Sequence, residues 1–434
     1  MSKFIQDIRG KVNSEISNEF ASHLGAMVGH YVGRDRYVLI GRDTSTASQM
    51  IKKSITSGLM STGVNVIEFS IAPLPVINYS KKFYDANVVI TVSESHLREE
   101  DVNIKIISSH EIPLDQRYSS LVPWYEIGEV RYITDLESAY REAVIENAAP
   151  EIKKKNFLLV MDCAHGTGNS PLPGILDDLG CETVYIGCSK KSQQRDFPEP
   201  SPQRLSLISE LVFAAGADMG VYLDNDHDRI MLISEKGDLI SDQEAIAIFA
   251  RAILDENPGQ TIVSSVVVSH ALDEVVKEYK GKLFKTSVNQ VLNEIMEKKA
   301  IFGGDEPGMF VFPQFQDCFD GIYALVMMLG ILAKGDYPIS TLVQKVPKYY
   351  RTVFTVECEH EKKMNVLNKF KKDYESKYNV LAVDGLRVDL DDSFVLIRPS
   401  RFEPLLRVYI ESKSPEKLQI LIEGVKKNIE DFSI

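Results

Sequence analysis

The sequence predicts an α/β protein built from three successive, similar α/β domains with mixed sheets and a smaller α+β domain that closes the chain. Three observations carry this. The order buried strand, helix, second strand recurs three times, as expected of consecutive βαβ units. After Tyr337-Pro338 the composition shifts to a lysine-rich helical stretch followed by short strands. Finally, 434 residues with 44% hydrophobic and 26% charged side chains are too many for a single core and ordinary for a soluble globular chain.

Tyr37-Val38-Leu39-Ile40 reads as a buried strand, Gly41 to Ser45 as the loop at its carboxyl end, Ala47 to Thr62 as a helix, and Val64 to Ile67 as the strand resumed after Gly63. The pattern returns at Phe157 to Met161, where the loop Asp162 to Gly168 precedes a helix and the strand Thr183 to Ile186. It appears a third time, less sharply, around Thr261 to Val268. Gly166-Thr167-Gly168 lacks the third glycine and the lysine of nucleotide-binding loops, so it reads as a tight strand-to-helix turn. Thr134 to Ala149 reads as a helix that Pro150 stops, which sets the first domain boundary. Gln193 to Pro202, with Pro198, Pro200 and Pro202, must be extended. A helix from Asp242 to Leu254 leads into the third domain. The strand Arg351 to Val356, the helix Glu359 to Lys377 and the short strands Gly385 to Leu390 and Ser393 to Ile397 predict a final four-stranded sheet with two helices. The domains expected are 1–150, 151–250, 251–345 and 346–434.

A formal net charge of −13 argues against general nucleic-acid binding, which needs a basic surface, so any anionic substrate must meet local basic clusters. Five cysteines without metal-ligand spacing suit a reducing compartment and free thiols. Ser2 to Gly10 is polar, and no apolar run approaches a membrane span; the expectation is a cytoplasmic protein with no membrane partner.

The chemistry-bearing stretch is Asp224-Asn225-Asp226-His227-Asp228-Arg229, between the apolar runs Met219 to Leu223 and Ile230 to Ile233. Carboxylates at every second position of a short loop can converge on one hard divalent cation, which takes oxygen ligands. An EF-hand is excluded, because Arg229 stands where that loop needs glycine and Ile230 to Ile233 reads as strand. A merely solvated acidic turn would leave three like charges repelling one another. The loop therefore reads as a Mg²⁺ site, one ion per chain.

Asp-x-Asp-x-Asp-Arg, after the run Gly216 to Gly220, resembles the metal loop of the α-D-phosphohexomutases, the phosphoglucomutase and phosphomannomutase enzymes. The resemblance implies four domains around a central cleft and a Mg²⁺ held by Asp224, Asp226, Asp228 and a phosphoserine oxygen, with Arg229 beside the substrate. Phe4 to Gly10 is similar to the family's opening segment and places Arg9 in the cleft. Val88 to Thr91 runs into Val92-Ser93-Glu94-Ser95-His96, and the family's spacing back from Lys105 puts the nucleophile at Ser95, beside His96. Ser93 is a rival, since it keeps the family's distance from Thr91; Leu97-Arg98 and Val102-Asn103 depart from the pattern.

Gly303 to Met309 corresponds to the loop that reads sugar hydroxyls, with Asp305 and Glu306 as the implied ligands. Arg398-Pro399-Ser400-Arg401-Phe402-Glu403-Pro404-Leu405-Leu406-Arg407 is similar to the loop that grips the substrate's distal phosphate, with Arg398, Ser400, Arg401 and Arg407 as its ligands; Arg407 could instead pair with Glu403. The function implied is a phosphosugar mutase: a phosphoserine moves phosphoryl between the C1 and C6 oxygens through a bisphosphorylated sugar, with Lys105 and Arg9 assisting. The alternative is a catalytically impaired paralogue that binds Mg²⁺ or a phosphosugar as a regulatory or assembly subunit. The expected partner is a small sugar phosphate, and a homo-oligomer is open.

Overall fold

The computed structural model describes residues 4–95, 98, 100–114, 121–133, 137–164, 171–187, 201–400 and 403–433. It divides into two units, one of Met1–Asp242 with Pro307–Val343, the other of Gln243–Glu306 with Gln344–Ile434.

The first unit holds two mixed sheets. In the amino-terminal sheet the strands run in the order Phe4–Lys11, Asp101–Ser108, Val88–Glu94, Tyr37–Arg42, Asn65–Phe69, Val130–Ile133. The first two pairings are antiparallel and the other three parallel. Strand alternation divides its residues between two cores. Ile90, Val92, Ile104 and Ile106 join helices Asn18–Val32 and Thr46–Met60 on one face. Val89 and Ile107 join Leu74 and Ile77 of the helix Leu74–Tyr79 on the other. The second sheet runs Leu239–Ile240, Ile230–Ser234, Met219–Leu223, Leu158–Asp162, Glu182–Ile186, antiparallel at the first two pairings and parallel at the last two. The aspartate loop is thus the hairpin turn between Met219–Leu223 and Ile230–Ser234, as their apolar runs imply.

In the second unit, strands Lys282–Thr286, Thr261–Ser265 and Phe302–Asp305 lie parallel. The closing domain has five antiparallel strands, in the order Tyr350–Glu357, Leu405–Ser412, Ser393–Pro399, Leu386–Leu390, Asn379–Leu381, where four were expected. The extra strand, Asn379–Leu381, is only three residues long and too short to show a period of two. Helices His360–Tyr374 and Pro415–Ser433 cover one face. On the other, Phe394, Leu396 and Tyr409 pack on Val266 and Val267 of the third domain. There the fully buried Arg387 donates to the carbonyls of Val266 (2.7 Å) and Val268 (2.6 Å) under the ring of Phe394.

The predicted helices at Ala47, Asp242 and Glu359 form within three residues of their expected bounds, as Thr46–Met60, Asp242–Glu256 and His360–Tyr374. Gly166 to Gly168 and Gln193 to Pro200 lie outside the described residues. Cys181, Cys318 and Cys358 are buried free thiols, but Cys163 is disulfide-bonded, which corrects the expectation of free thiols throughout. Spacing alone does not tell which sulfurs a fold brings together. Among the described residues no helix is long and apolar enough to cross a membrane.

Helix Gly321–Gly335 supports the aspartate loop from behind, and its cap is a buried acid. Asp320 accepts the backbone N–H of Tyr323 (2.9 Å), the Gln316 amide (2.6 Å) and the hydroxyl of Tyr140 (2.9 Å). Burial pushes its carboxyl up to about 6, the three hydrogen bonds opposing. An unfolded aspartate ionises near about 3.9. The folded state therefore binds the extra proton between the two values, so this contribution to stability is full at low pH and lost as pH rises through about 6. Asparagine caps equally well and does not titrate. The stability of the wild type relative to Asp320→Asn should fall by on the order of 2–3 kcal/mol from about pH 4 to about pH 7. Urea unfolding across that range measures it, and a pH-independent difference would sink the assignment.

Candidate active site

The site of the first unit assembles on one face of the amino-terminal sheet. Asp7, Lys105 and Thr91 stand opposite one another across three neighbouring strands, and one step further along Arg9, Asn103 and Ser93 do the same. Residues paired across neighbouring strands share a face, so these six side chains form a polar strip on the side that carries Ile5, Val89 and Ile107. Ser95 lies just past the strand, 4% exposed, its N–H donating to the carbonyl of Asp101 (3.0 Å).

Asp43, at the end of the neighbouring strand, clamps this corner. Its N–H donates to Val92 O (3.1 Å) and its carboxylate accepts the N–H of Glu94 (2.8 Å), so the backbone is held on both sides of Ser93. Sequence inspection passed over Asp43 because aspartates in strand-end loops are common; burial and the absence of an apolar role are what mark it.

The aspartate loop meets the strip at Lys105. Its ammonium donates to Asp226 Oδ2 (2.7 Å) and Asp228 Oδ2 (2.6 Å), with all three groups buried. Burial works against the lysine's charge, but Asp226, Asp228 and Asp224 together hold its pKa above the ordinary value. Arg229 lies 3.8 Å from Asp224 and 3.9 Å from Asp228. Asp224 is pushed well above the carboxylate range by burial and by the charge of Asp228. Asp228 moves the other way, to about 2; burial opposes this, but Lys105 and Arg229 favour its ionised form.

Backbone contacts fix the loop. Leu74 N–H donates to Asp226 O (3.0 Å), Gly321 N–H to His227 O (2.9 Å), and Ile230 N–H to Gly308 O (2.9 Å). Gly308 has φ +60, and a Cβ there would lie 2.1 Å from Ile230 O, so the Gly308-Met309 end of the predicted sugar loop docks on the aspartate hairpin only as glycine. His227 itself adopts φ 57, is fully buried, and has no hydrogen bond to either ring nitrogen among the described residues. It fills space behind the carboxylates.

As the side chains stand, no three acidic or imidazole groups among the described residues share a metal-sized site, because Lys105 stands between Asp226 and Asp228. The donor set nevertheless fits a hard cation: buried carboxylates in one loop, with Asp228 Oδ1 lacking a hydrogen-bond partner.

Of the other predicted residues, Arg9 pairs with Asp7 (2.6 Å). In the second unit Asp305 is buried, accepting Ser265 Oγ (2.5 Å) and the N–H of Glu306 (2.8 Å) on Oδ1, while Oδ2 has no hydrogen-bond partner among the described residues. Burial raises its carboxyl to about 7. Glu306 pairs with Arg351 (2.8 Å) and accepts from Gln243 (2.5 Å), two partners that no motif announced. Arg398 pairs with Asp384, and its Nε is buried without a hydrogen-bond partner among the described residues. Arg407 pairs with Glu403 (3.3 Å) on the surface, and Ser400 Oγ accepts the N–H of Glu403 (3.2 Å). His96 and Arg401 lie outside the described residues.

Ser93 thus shares a face of the sheet with Lys105, the lysine that binds the buried aspartates. The chain belongs to the phosphoglucomutase/phosphomannomutase family. All four of its domains match: the alpha/beta/alpha domains I, II and III at residues 4–121, 132–237 and 241–350, and the C-terminal domain at 355–427. The chain is 32% identical to a phosphoglucomutase/phosphomannomutase of Thermococcus kodakarensis, with 96% of each covered. It is 29% identical to a probable phosphoglucosamine mutase of Pyrococcus abyssi, over 98% of this chain and 96% of that one. Among solved structures, a phosphoglucomutase/phosphomannomutase family protein of Burkholderia thailandensis has the same fold, with a TM-score of 0.87 at 22% identity over 99% and 97% of the two chains. The N-acetylphosphoglucosamine mutase of Aspergillus fumigatus, solved with GlcNAc-6P and magnesium, superposes with a TM-score of 0.59 at 15% identity over 92% and 78%. The protein is a phosphohexomutase-type isomerase, moving a phosphoryl group within a sugar.

Removing the lysine from this cluster leaves Asp226 and Asp228 buried without their cation. Lys105→Met should therefore cost about 3–5 kcal/mol in EDTA, and millimolar Mg²⁺ should restore more melting temperature to the variant than it adds to the wild type. Thermal unfolding of both proteins with EDTA and with Mg²⁺ measures the difference. Equal increments would separate Lys105 from the cation site.

Proposed function

We propose that the protein moves a phosphoryl group between the C1 and C6 oxygens of an aldohexose or hexosamine phosphate, with Ser95 as the phosphoryl carrier and a bisphosphorylated sugar as intermediate. The observation that carries this reading is Lys105, buried on the Ser93 face of the sheet and bonded to Asp226 and Asp228. Phosphoryl transfer asks the protein for positioning and for positive charge around the equatorial oxygens, with little covalent work.

Asp224, Asp226 and Asp228 would hold a Mg²⁺ together with an oxygen of the phosphorylated serine, and the bound ion supplies charge neutralisation at the transferring group. The chain's own residues do the rest. Lys105 adds an ammonium next to the carboxylates, and Arg9 lies one pairing along the same strip, paired with Asp7. Ser95 is favoured over Ser93 because it lies beyond the last ladder pair, Glu94 with Val102, whereas Ser93 is locked inside the strand opposite Asn103. A carrier oxygen at the end of a strand can meet an in-line sugar oxygen from outside the sheet.

In the second unit, Asp305 offers a buried Oδ2 to a sugar hydroxyl, and Arg398 with Ser400 offers donors to the distal phosphate. Arg229, Glu306 and Arg407 complete the proposed substrate contacts. Each would have to exchange its present partner for substrate.

Intact-protein mass and phosphopeptide mapping after incubation with glucose 1,6-bisphosphate should find one phosphate on Ser95. Ser95→Ala should abolish interconversion of glucose, mannose and glucosamine phosphates, and Ser93→Ala should leave turnover within about tenfold, the scale of one lost neutral hydrogen bond. Label on Ser93 would move the carrier to that residue.

A further inference from the structure

Lys363 sits in a lysine-rich run, Glu361-Lys362-Lys363, on the helix His360–Tyr374, where the sequence suggests a solvated face. The side chain is instead buried, only 4% exposed. Its ammonium donates to the carbonyl of Ser400 (2.7 Å) and the carbonyl of Glu403 (2.6 Å), and lies 3.2 Å from Nδ1 of His360. Three donors thus meet three acceptors, and none of the three is a carboxylate.

Both carbonyls belong to the loop that follows Arg398, and they flank positions 401 and 402. A buried ammonium must satisfy its donors, because leaving one unpaired in a low-dielectric interior is costly. The loop ends are therefore drawn to one fixed point. The three groups it meets are neutral, so the ammonium brings positive charge to the backbone at Ser400 and at Glu403, whose own carboxylate is engaged by Arg407. Surface lysines of the same helix, screened by water, could not act in this way.

We propose that Lys363 is a positioning residue for the substrate's phosphate: it holds the backbone at Ser400 and Glu403 so that Ser400, two residues from Arg398, keeps the position and positive surroundings that receive a phosphate dianion. This rests on the reading of Arg398 and Ser400 as phosphate ligands. The lysine touches no substrate in this role, and it acts through the two carbonyls.

The test uses the full-length, Mg²⁺-loaded protein and two variants, Lys363→Met, which removes every donor, and Lys363→Gln, which keeps a polar end but loses the charge. Arg398→Ala reports separately on the phosphate reading. Inorganic phosphate is titrated by calorimetry, and kcat and KM are measured on glucose 1-phosphate or whichever hexose phosphate the wild type converts. Lys363→Met should weaken phosphate binding and raise KM by about tenfold or more, the scale of a lost charge-assisted hydrogen bond, while kcat stays within about twofold because distal binding holds the sugar without entering the chemistry. Lys363→Gln should show the same split, more mildly. If Arg398→Ala weakens phosphate binding and the Lys363 variants do not, the positioning role is overturned and the phosphate loop stands. If Arg398→Ala also binds phosphate as the wild type does, the loop is not a phosphate grip and both readings fall. A fall in kcat with KM unchanged, or failure of both lysine variants to fold as judged by near-ultraviolet circular dichroism, assigns Lys363 to the core of the domain and overturns the proposal.

Discussion

Burying three carboxylates in one hairpin turn is the constraint on which the first unit depends. Each ion removed from water costs several kcal/mol after relaxation, and like charges in one loop add to that cost. The chain answers with two cations from different places, Lys105 from the amino-terminal sheet and Arg229 from the hairpin itself. Three carboxylates against two cations leave a negative charge in excess. The opposed shifts of Asp224 and Asp228 express this: one carboxyl is driven toward its neutral form while its neighbour is held ionised. The cluster thus relieves its excess charge by driving Asp224 toward its neutral form, and a divalent cation, as proposed above, would relieve it in another way.

The same constraint orders the backbone. Lys105 reaches the hairpin only because strand pairing sets it opposite Thr91 and Asp7, on the face away from Ile104 and Ile106. A slip of one residue would turn the lysine into the apolar core beneath helices Asn18–Val32 and Thr46–Met60. The hairpin in turn is held by main-chain bonds from Leu74, Gly321 and Gly308, none of which depends on side-chain identity beyond the space glycine leaves. Positions of the carboxylates are thereby set by hydrogen bonds that persist whatever the charge state of the cluster.

How much could be read in advance follows from the range of each interaction. The aspartate hairpin was legible because its signal is local: alternate carboxylates between two apolar runs that pair as Leu223 with Ile230. The repeated strand and helix pattern was legible for the same reason. Lys105 was found only through the family resemblance, and nothing near it in the chain names Asp226, more than a hundred residues away. Arg351 and Gln243, which hold Glu306, and Lys363, which holds Ser400, carry no motif; a lysine in a lysine-rich helix looks like solvent-facing charge until its burial is known. The disulfide at Cys163 was missed because cysteine spacing says nothing about distance in the fold.

These long-range partners bear on how the proposed sugar loop, Gly303 to Met309, would discriminate. Glu306 is engaged by Arg351 and Gln243, and Gln243 in turn accepts the N–H of Ser269, so moving that carboxylate would break a chain of hydrogen bonds. Asp305 differs. Its Oδ1 is tied to Ser265 and to the backbone, while its Oδ2 is buried and accepts no hydrogen bond among the described residues, which costs free energy. On the proposed reading, Asp305 rather than Glu306 would carry most of the recognition. A sugar that brings a hydroxyl or amine hydrogen to Asp305 Oδ2 gains an interaction that an epimer or deoxy analogue forfeits, and buried, unmatched polar groups make that difference large. If Asp305 is the sugar ligand proposed above, selectivity would rest on the fixed geometry around it.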